Sequence, residues 1–529
     1  MEVSRSWTSQ IARFGSARTG SVRLTIGLLG VIALASGALT SESAYAATPD
    51  TAYTPNAIGA PNPQPGGRWA ERTATAGDLN GDGVHDLWVG VPRETVNGAR
   101  VGRVYAMSGA TLAGNPYHPP QVLYTIDSPE PQADNQFGFA ISNIGDVNGD
   151  GVPDIAIGTD AQDVGANPQQ GKAWVFSGAD GHLLYALDNP FPQGSFAHRA
   201  RFGSRIGRAG DINGDGVPDI IVGASGNDVP AGCSSISPLP ADCRVGQGQA
   251  FIFSGNPIDH LHGASGLLRT LDLPAEDQAP APCASGCGSF GLAVQGPGDI
   301  NGDHVADQYV DAGGETVDGN PAQGRVYLFS GHDGSLIRKL DDPVPQANAF
   351  FGFQDAEPLA PGDVNHDGVP DIYTNGFTQN GPAGSDQGRS WVFSGHDGSL
   401  LYEVQDPHPI EGGQFGWSLA QTDYNKDGIP DLYIGNDPHH HIPPIDQRGE
   451  TNVFDGRDGT LLKNLPLPAP YDSELGSPGN LGPNLGWTVS APGDLNGDGE
   501  PDYVAGAPFT DVGANKDQGV LISFISQLP

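Results

Sequence analysis

The chain has 529 residues, 62 acidic against 25 basic, and a formal net charge of −37. So acidic a surface repels nucleic acid and anionic membranes and attracts cations, which excludes the first two as partners. Disorder is excluded as well, because Val, Ile, Leu and Phe recur in short blocks and the 78 glycines and 46 prolines are spread along the chain as turn punctuation.

At the N-terminus, Arg5, Arg13, Arg18 and Arg23 precede or enter the apolar run LTIGLLGVIALASGALT, which leads to the small-residue site Ala44-Tyr45-Ala46. This pattern is that of a secretory signal, predicted to cover residues 1–46 and to direct bacterial export. No later stretch is apolar for long enough to span a bilayer. The mature protein is therefore expected to be secreted and soluble, with no membrane anchor after cleavage. Residues 47–66 precede the first repeat. Helical periodicity is nearly absent beyond residue 47, so the remainder is expected to be all-β.

From residue 67 onward one unit recurs seven times. Each unit opens on a Phe-Gly pair or its stand-in: Trp69-Ala70, Phe137-Gly138, Phe202-Gly203, Phe290-Gly291, Phe351-Gly352, Phe415-Gly416 and Leu485-Gly486. An acidic nonapeptide follows, as in DVNGDGVPD, and then a β-rich run such as DIIVG at 219–223. A variable loop often ending in Gln-Gly leads to a second strand such as KAWVFSG at 172–178, and an Asp-Gly turn leads to another. Alternating apolar residues bounded by Gly and Asp-Gly are hairpin signals. Four strands in each unit of roughly 65 residues is the content of one propeller blade, so residues 67–529 are predicted to form a seven-bladed β-propeller of four-stranded antiparallel blades. The last unit ends after its third strand, GVLISFI. Only the segment before the first repeat remains to supply the fourth, which makes TAYTPNAIG the expected closing strand.

The nonapeptide has the same chemistry in every copy. Positions 1, 3, 5 and 9 are Asp78, Asn80, Asp82 and Asp86 in the first copy, and Asp146, Asn148, Asp150 and Asp154 in the second. They are Asp211, Asn213, Asp215 and Asp219 in the third, then Asp299, Asn301, Asp303 and Asp307 in the fourth. The fifth has Asp363, Asn365, Asp367 and Asp371; the sixth Asp423, Asn425, Asp427 and Asp431; the seventh Asp494, Asn496, Asp498 and Asp502. Alternate residues of a tight loop are expected to converge, so three carboxylates, an amide oxygen and the position-7 carbonyl would form a hard-oxygen cage that favours Ca²⁺, up to seven ions in all. An EF-hand needs an acid at position 12 and flanking helices, whereas position 12 here is Val89, Ile157, Val222, Val310, Thr374, Ile434 or Ala505, inside a predicted strand. His304 stands where the other copies have the position-6 glycine, which marks the fourth loop as the exception.

The order FG, GDxNxDGxxD, β-strand, GxVYxFSG resembles the FG-GAP repeat of integrin alpha-subunit N-terminal regions and their secreted bacterial relatives. The resemblance extends over residues 66–529 and implies a seven-bladed propeller with calcium between the first and second strands of each blade. The leg domains, transmembrane helix and DxSxS metal motif of integrins are not found beside it.

In a four-stranded meander, the 1–2 and 3–4 turns share one face and the 2–3 and 4–1 connections share the other. The acidic loops and Asp-Gly turns are uniform and mark a structural face. The variable segments 92–102, 224–248 and 436–449 fall opposite, where binding is expected. Cys233 and Cys243 lie in one such segment, and Cys283 and Cys287 in the linker after it. Three disulfide pairings are open, and the local one, 233–243 with 283–287, is favoured over cross-pairing. His439, His440 and His441 read as a solvated loop. Trp417 and Trp487 offer sugar stacking, but their place after the FG position favours core packing.

No GxSxG, HExxH or Cys/His nucleophile pair is present, and no catalytic residue is assigned. The leading reading is a monomeric binding or adhesion module for an extracellular protein or glycan. The alternative is an extracellular hydrolase or polysaccharide lyase on the variable face, since the phospholipase D that acts on glycosylphosphatidylinositol anchors carries the same repeats.

Overall fold

The apolar blocks of each repeat form short antiparallel strands, and each repeat becomes one blade of a ring. The computed structural model describes residues 52–114, 120–194, 199–285, 287–353, 362–436, 448–471 and 482–527. The predicted export signal at 1–46 and His439, His440 and His441 lie outside these residues. Blade two shows the plan: Ala140–Gly145, Asp154–Thr159, Lys172–Phe176 and Leu183–Leu187 pair in chain order. Blades one, three, four and six repeat it with four strands each. In blade five three strands are described, Ile372–Gly376, Arg389–Phe393 and Leu400–Val404. The protein is a seven-bladed β-propeller.

Burial follows from position in the blade. Every residue of Asp154–Thr159 is buried, as is every residue of Asp219–Ala224. A second strand has neighbouring blades on both faces, so its sequence is a continuous apolar run without alternation. The outer strand Leu183–Leu187 has one face to solvent and is only partly covered, with Leu183 exposed. Among the described residues the main buried clusters lie between blades. Seven buried clusters each combine two adjoining blades, as where Ala156, Val175 and Tyr185 of blade two meet Phe202, Val222 and Phe251 of blade three.

A backbone hydrogen bond joins every blade to the next. The amide of the FG-position residue donates to the carbonyl that precedes the loop glycine of the blade before it. Phe137 donates to Val101 at 2.8 Å, Phe202 to Gln170 at 3.0 Å, Phe290 to Gln247, Phe351 to Gln323, and Phe415 to Gln387, each at 2.8 Å. Leu485 donates to Arg448 at 2.8 Å, and Trp69 closes the ring on Gln518 at 2.7 Å. The glycines that follow these carbonyls, such as Gly171 and Gly248, have positive φ, and a Cβ there would strike the facing Phe backbone. That double demand explains the Gln-Gly signal.

The ring is sealed between its ends. Ala52–Gly59 pairs antiparallel with Val520–Gln527 over eight residue pairs, from Ala52 opposite Gln527 to Gly59 opposite Val520. It is the outer strand of blade seven, where it covers an edge otherwise open to another chain. Ile58 is buried with Leu521 and Trp69, and its carbonyl accepts the Trp69 indole N–H at 3.1 Å. Ile58→Ala is expected to destabilise the protein by about 2–4 kcal/mol. Deleting Ala52–Gly59 should also produce concentration-dependent association, read by light scattering beside thermal unfolding. An unchanged melting temperature in both variants would show that the ring closes without this strand.

Candidate functional site

The acidic loops sit between the first and second strands of their blades and share one hydrogen-bond scheme, except that the position-4 amide bond is present in five of them and not in the fifth and sixth. In blade two the Asp146 carboxylate accepts the amides of Gly149 at 2.7 Å, Asp150 at 3.2 Å and Gly151 at 2.8 Å. Asn148 Oδ1 accepts Asp150 N–H at 2.8 Å, and Asp150 Oδ1 accepts Val152 N–H at 2.9 Å. These side-chain-to-backbone bonds wind the loop tightly, and positions 4 and 6 take positive φ. The fourth loop keeps the same backbone bonds despite its histidine. His304 adopts φ +70°, its amide still reaches Asp299 Oδ2 at 2.8 Å, and its ring points to solvent.

The position-9 aspartate does something the sequence did not announce. It is fully buried in all seven blades. Its Oδ2 accepts the position-2 amide of its own loop, as Asp219 does from Ile212 at 2.8 Å. Its Oδ1 accepts an amide from the 3–4 turn: Gly178 on Asp154 at 2.9 Å, Gly255 on Asp219 at 3.0 Å, Gly331 on Asp307 at 3.0 Å. In blade seven the donor is Ser526, near the end of the third strand, at 2.7 Å. One carboxylate thus ties both turns of the face together. The turn glycine's carbonyl then accepts a side chain from the preceding blade's outer strand. Tyr185 Oη donates to Gly255 at 2.7 Å, and Arg269 to Gly331 at 2.7 Å and to His332 at 3.0 Å. Tyr124 bonds Gly178 and Tyr402 bonds Gly456 in the same way.

Burial pushes these carboxyls up, to about 6 for Asp154, Asp219, Asp307 and Asp502 and to about 7 for Asp431. Asp86 and Asp371 are raised for the same reason. In this metal-free structure backbone amides occupy carboxylate oxygens of the loop. Among the described residues, no group of three His, Cys, Asp or Glu side chains is arranged to hold a metal ion. Backbone amides hold positions 1 and 9 instead, and the Asn amide nitrogen donates between positions 5 and 9, from Asn148 to Asp150 at 2.9 Å and to Asp154 at 3.4 Å. The donor set still suits a hard divalent cation, because it is all oxygen and a cation-like N–H group already sits among the acids.

The opposite face is built differently. The 224–248 segment is stapled by Cys233–Cys243, and the linker after it by Cys283–Cys287, which settles the pairing in favour of the local scheme. Val245 N–H donates to Cys283 O and Cys283 N–H to Cys243 O, at 3.0 and 2.9 Å, so the two pieces form one platform with Ile236 exposed on it. Most of 436–449 lies outside the described residues. Near the axis, Phe353, Trp417, Trp487 and Phe509 pack together, which makes both tryptophans core residues. Arg72 and Arg205 lie over Phe139, and Arg205 also over Phe353, so the chain lines this cluster with its own cations. At the second-strand position that is glycine in five blades, blades four and five carry Asp311 and Asn375. Asn375 Nδ2 donates to Gly416 O at 2.5 Å, a hydrogen bond across the junction where Gly158 and Gly223 allow bare backbone approach.

A seven-bladed ring with this loop in every blade defines the class of protein, and comparison with known proteins agrees. The FG-GAP repeat family matches at residues 72–107, 137–176, 202–236 and 415–441, in blades one, two, three and six. The chain carries FG-GAP repeats at these four places and is similar to integrin alpha chains over part of its length. It is 39% identical to mouse integrin alpha-IIb over 161 residues, which is 28% of this chain and 14% of that protein. It is 27% identical to integrin alpha-PS2 of Drosophila melanogaster over 240 residues, 45% of this chain and 14% of the other. Human phosphatidylinositol-glycan-specific phospholipase D is 31% identical over 205 residues, 36% of this chain and 23% of that enzyme. The chain thus spans less than a quarter of the length of each of these relatives.

Asp219→Ala strips the acceptor from the amides of Ile212, Asn213 and Gly255 and should cost about 3–5 kcal/mol. Asp215→Ala, at an exposed loop position, should cost about 1 kcal/mol. Chemical denaturation in the presence of a chelator separates the two. Equal losses would show that burial of position 9 is not what secures this face.

Proposed function

We propose that this chain is an exported binding propeller in which divalent cations lock one face while the loops of the other contact an extracellular protein or glycan. One observation carries this reading: the same oxygen-donor loop recurs on one face of all seven blades, while loop length and composition vary on the other. Donor type selects calcium, at up to seven loops. Asp, Asn and Asp at positions 1, 3 and 5 would hold the ion together with the position-7 carbonyl, and the position-9 acid would close the shell from below. The bound charge would offset the buried carboxylates that the loops otherwise keep among backbone amides. Similarity to integrin alpha chains supports an adhesion or ligand-binding role, and the signal-like segment at 1–46 supports secretion. Among the described residues, no helix is long and apolar enough to cross a membrane. We place the chain outside the cell as a monomer.

A second reading, a propeller-borne hydrolase or lyase, is favoured only by similarity to phosphatidylinositol-glycan-specific phospholipase D. An array of glycans and matrix proteins, probed with and without calcium, tests the first reading. Release of product from phosphatidylinositol-glycan substrates tests the second.

Two outcomes are expected. A cation bound only by the folded state adds about 2.7 kcal/mol at a hundred times its dissociation constant, so chelation should lower the melting temperature by several degrees or more. A melting curve indifferent to chelator would end the calcium reading. On the other face, Ile236→Ser should weaken ligand binding and leave the melting temperature within about 1 °C, whereas Asp211→Ala should harm stability first. Binding lost with Asp211→Ala at unchanged stability would move the ligand site to the acidic loops.

A further inference from the structure

The sixth acidic loop departs from the others in its surroundings. In most blades a neutral donor covers the position-5 acid: Ser177 on Asp150, Ser330 on Asp303 and Ser394 on Asp367 from the 3–4 turn, each at 3.3 Å, and Ser526 of the third strand on Asp498 at 3.0 Å. In blade three Asn256 Nδ2 takes this role on Asp215 at 3.2 Å. In blade six the serine is replaced by Asp455, which cannot donate and would repel Asp427. Arg457 lies between the two acids. Its Nε is 2.9 Å from Asp427 Oδ2, and it donates to both oxygens of Asp455, at 3.0 and 2.6 Å. Asn425 Nδ2 has turned to Asp455 at 3.3 Å, away from the position it holds in loop two.

We infer that the sixth loop is closed by its own guanidinium and takes no divalent cation in the concentration range that fills the other loops. The inference rests on the calcium reading above. A guanidinium is permanently charged, and its planar fork suits two carboxylates at once. A metal ion entering here would have to approach a full positive charge and compete for the Asp427 carboxylate. Asp455 adds no donor in compensation, because Arg457 holds both its oxygens. No other loop has an arginine on its position-5 acid among the described residues.

The test is the calcium stoichiometry of the full chain, measured by equilibrium dialysis after metal removal. The double variant Asp455→Ser/Arg457→His gives blade six the turn residues of blade five, Ser394 and His396, and should bind one ion more than the parent chain. Arg457→Gln, which keeps the side-chain length, serves as the second variant and should also gain one. Asp371→Asn should lose one ion from the parent, whereas Asp431→Asn should lose none. If Asp431→Asn and Asp371→Asn each remove one ion, and neither blade-six variant gains one, the inference is wrong while the calcium reading stands. If the parent chain binds none, both fall together.

Discussion

The amide of the FG-position residue, donating to the carbonyl before the loop glycine of the preceding blade, is the contact on which the ring depends. It occurs at all seven junctions, including that between Trp69 and Gln518, which joins the last blade to the first. Backbone meets backbone there, with almost no room between, so the geometry sets the angle from one blade to the next. The seven clusters of buried side chains lie on these same junctions. Neither contact could be made by an isolated blade. A repeat of this kind therefore reaches stability only in company, like other modules that bury their apolar faces against neighbours.

The two faces then divide the work. On one, the buried position-9 aspartate binds its own loop and the 3–4 turn, and the turn's glycine carbonyl takes a tyrosine or arginine from the blade before. Loop, turn and neighbouring blade form a single chain of hydrogen bonds, so anything that strengthens the loop also tightens the ring. On the other face only the ends of the connections are held, by the FG-position bonds, and the stretch between them is free to vary. Blade three uses that freedom for an insert, which two disulfides hold as a platform. Rigid frame and variable rim are the usual conditions for a binding surface.

Repetition also makes the departures informative. Asn375 replaces a close-packed glycine and restores the junction with a side-chain hydrogen bond. Asp455 replaces a serine and Arg457 a histidine of blade five, and the pair changes the charge around the sixth loop. His304 replaces a glycine and changes nothing in the backbone bonds. In each case the effect depends on the distance to a second blade or turn, which the substituted residue does not reveal.

The sequence by itself determined what is local. Seven copies of one acidic loop, strands bounded by Gly and Asp-Gly, and the length of each repeat sufficed for the blade and the ring. The missing fourth strand of the last unit pointed to TAYTPNAIG because strand pairing is a matter of counting edges. Cysteine pairing was narrowed by proximity along the chain. The tertiary structure decided what depends on approach across blades. It buried the position-9 acid and turned it to backbone donors, set Tyr185 and Arg269 on the next blade's carbonyls, and packed Trp417 and Trp487 near the axis. It also placed Arg457 against Asp427, thirty residues away in the chain. These contacts arise between strands and turns that only the closed ring brings within hydrogen-bonding reach, and no local pattern of residues encodes such a distance.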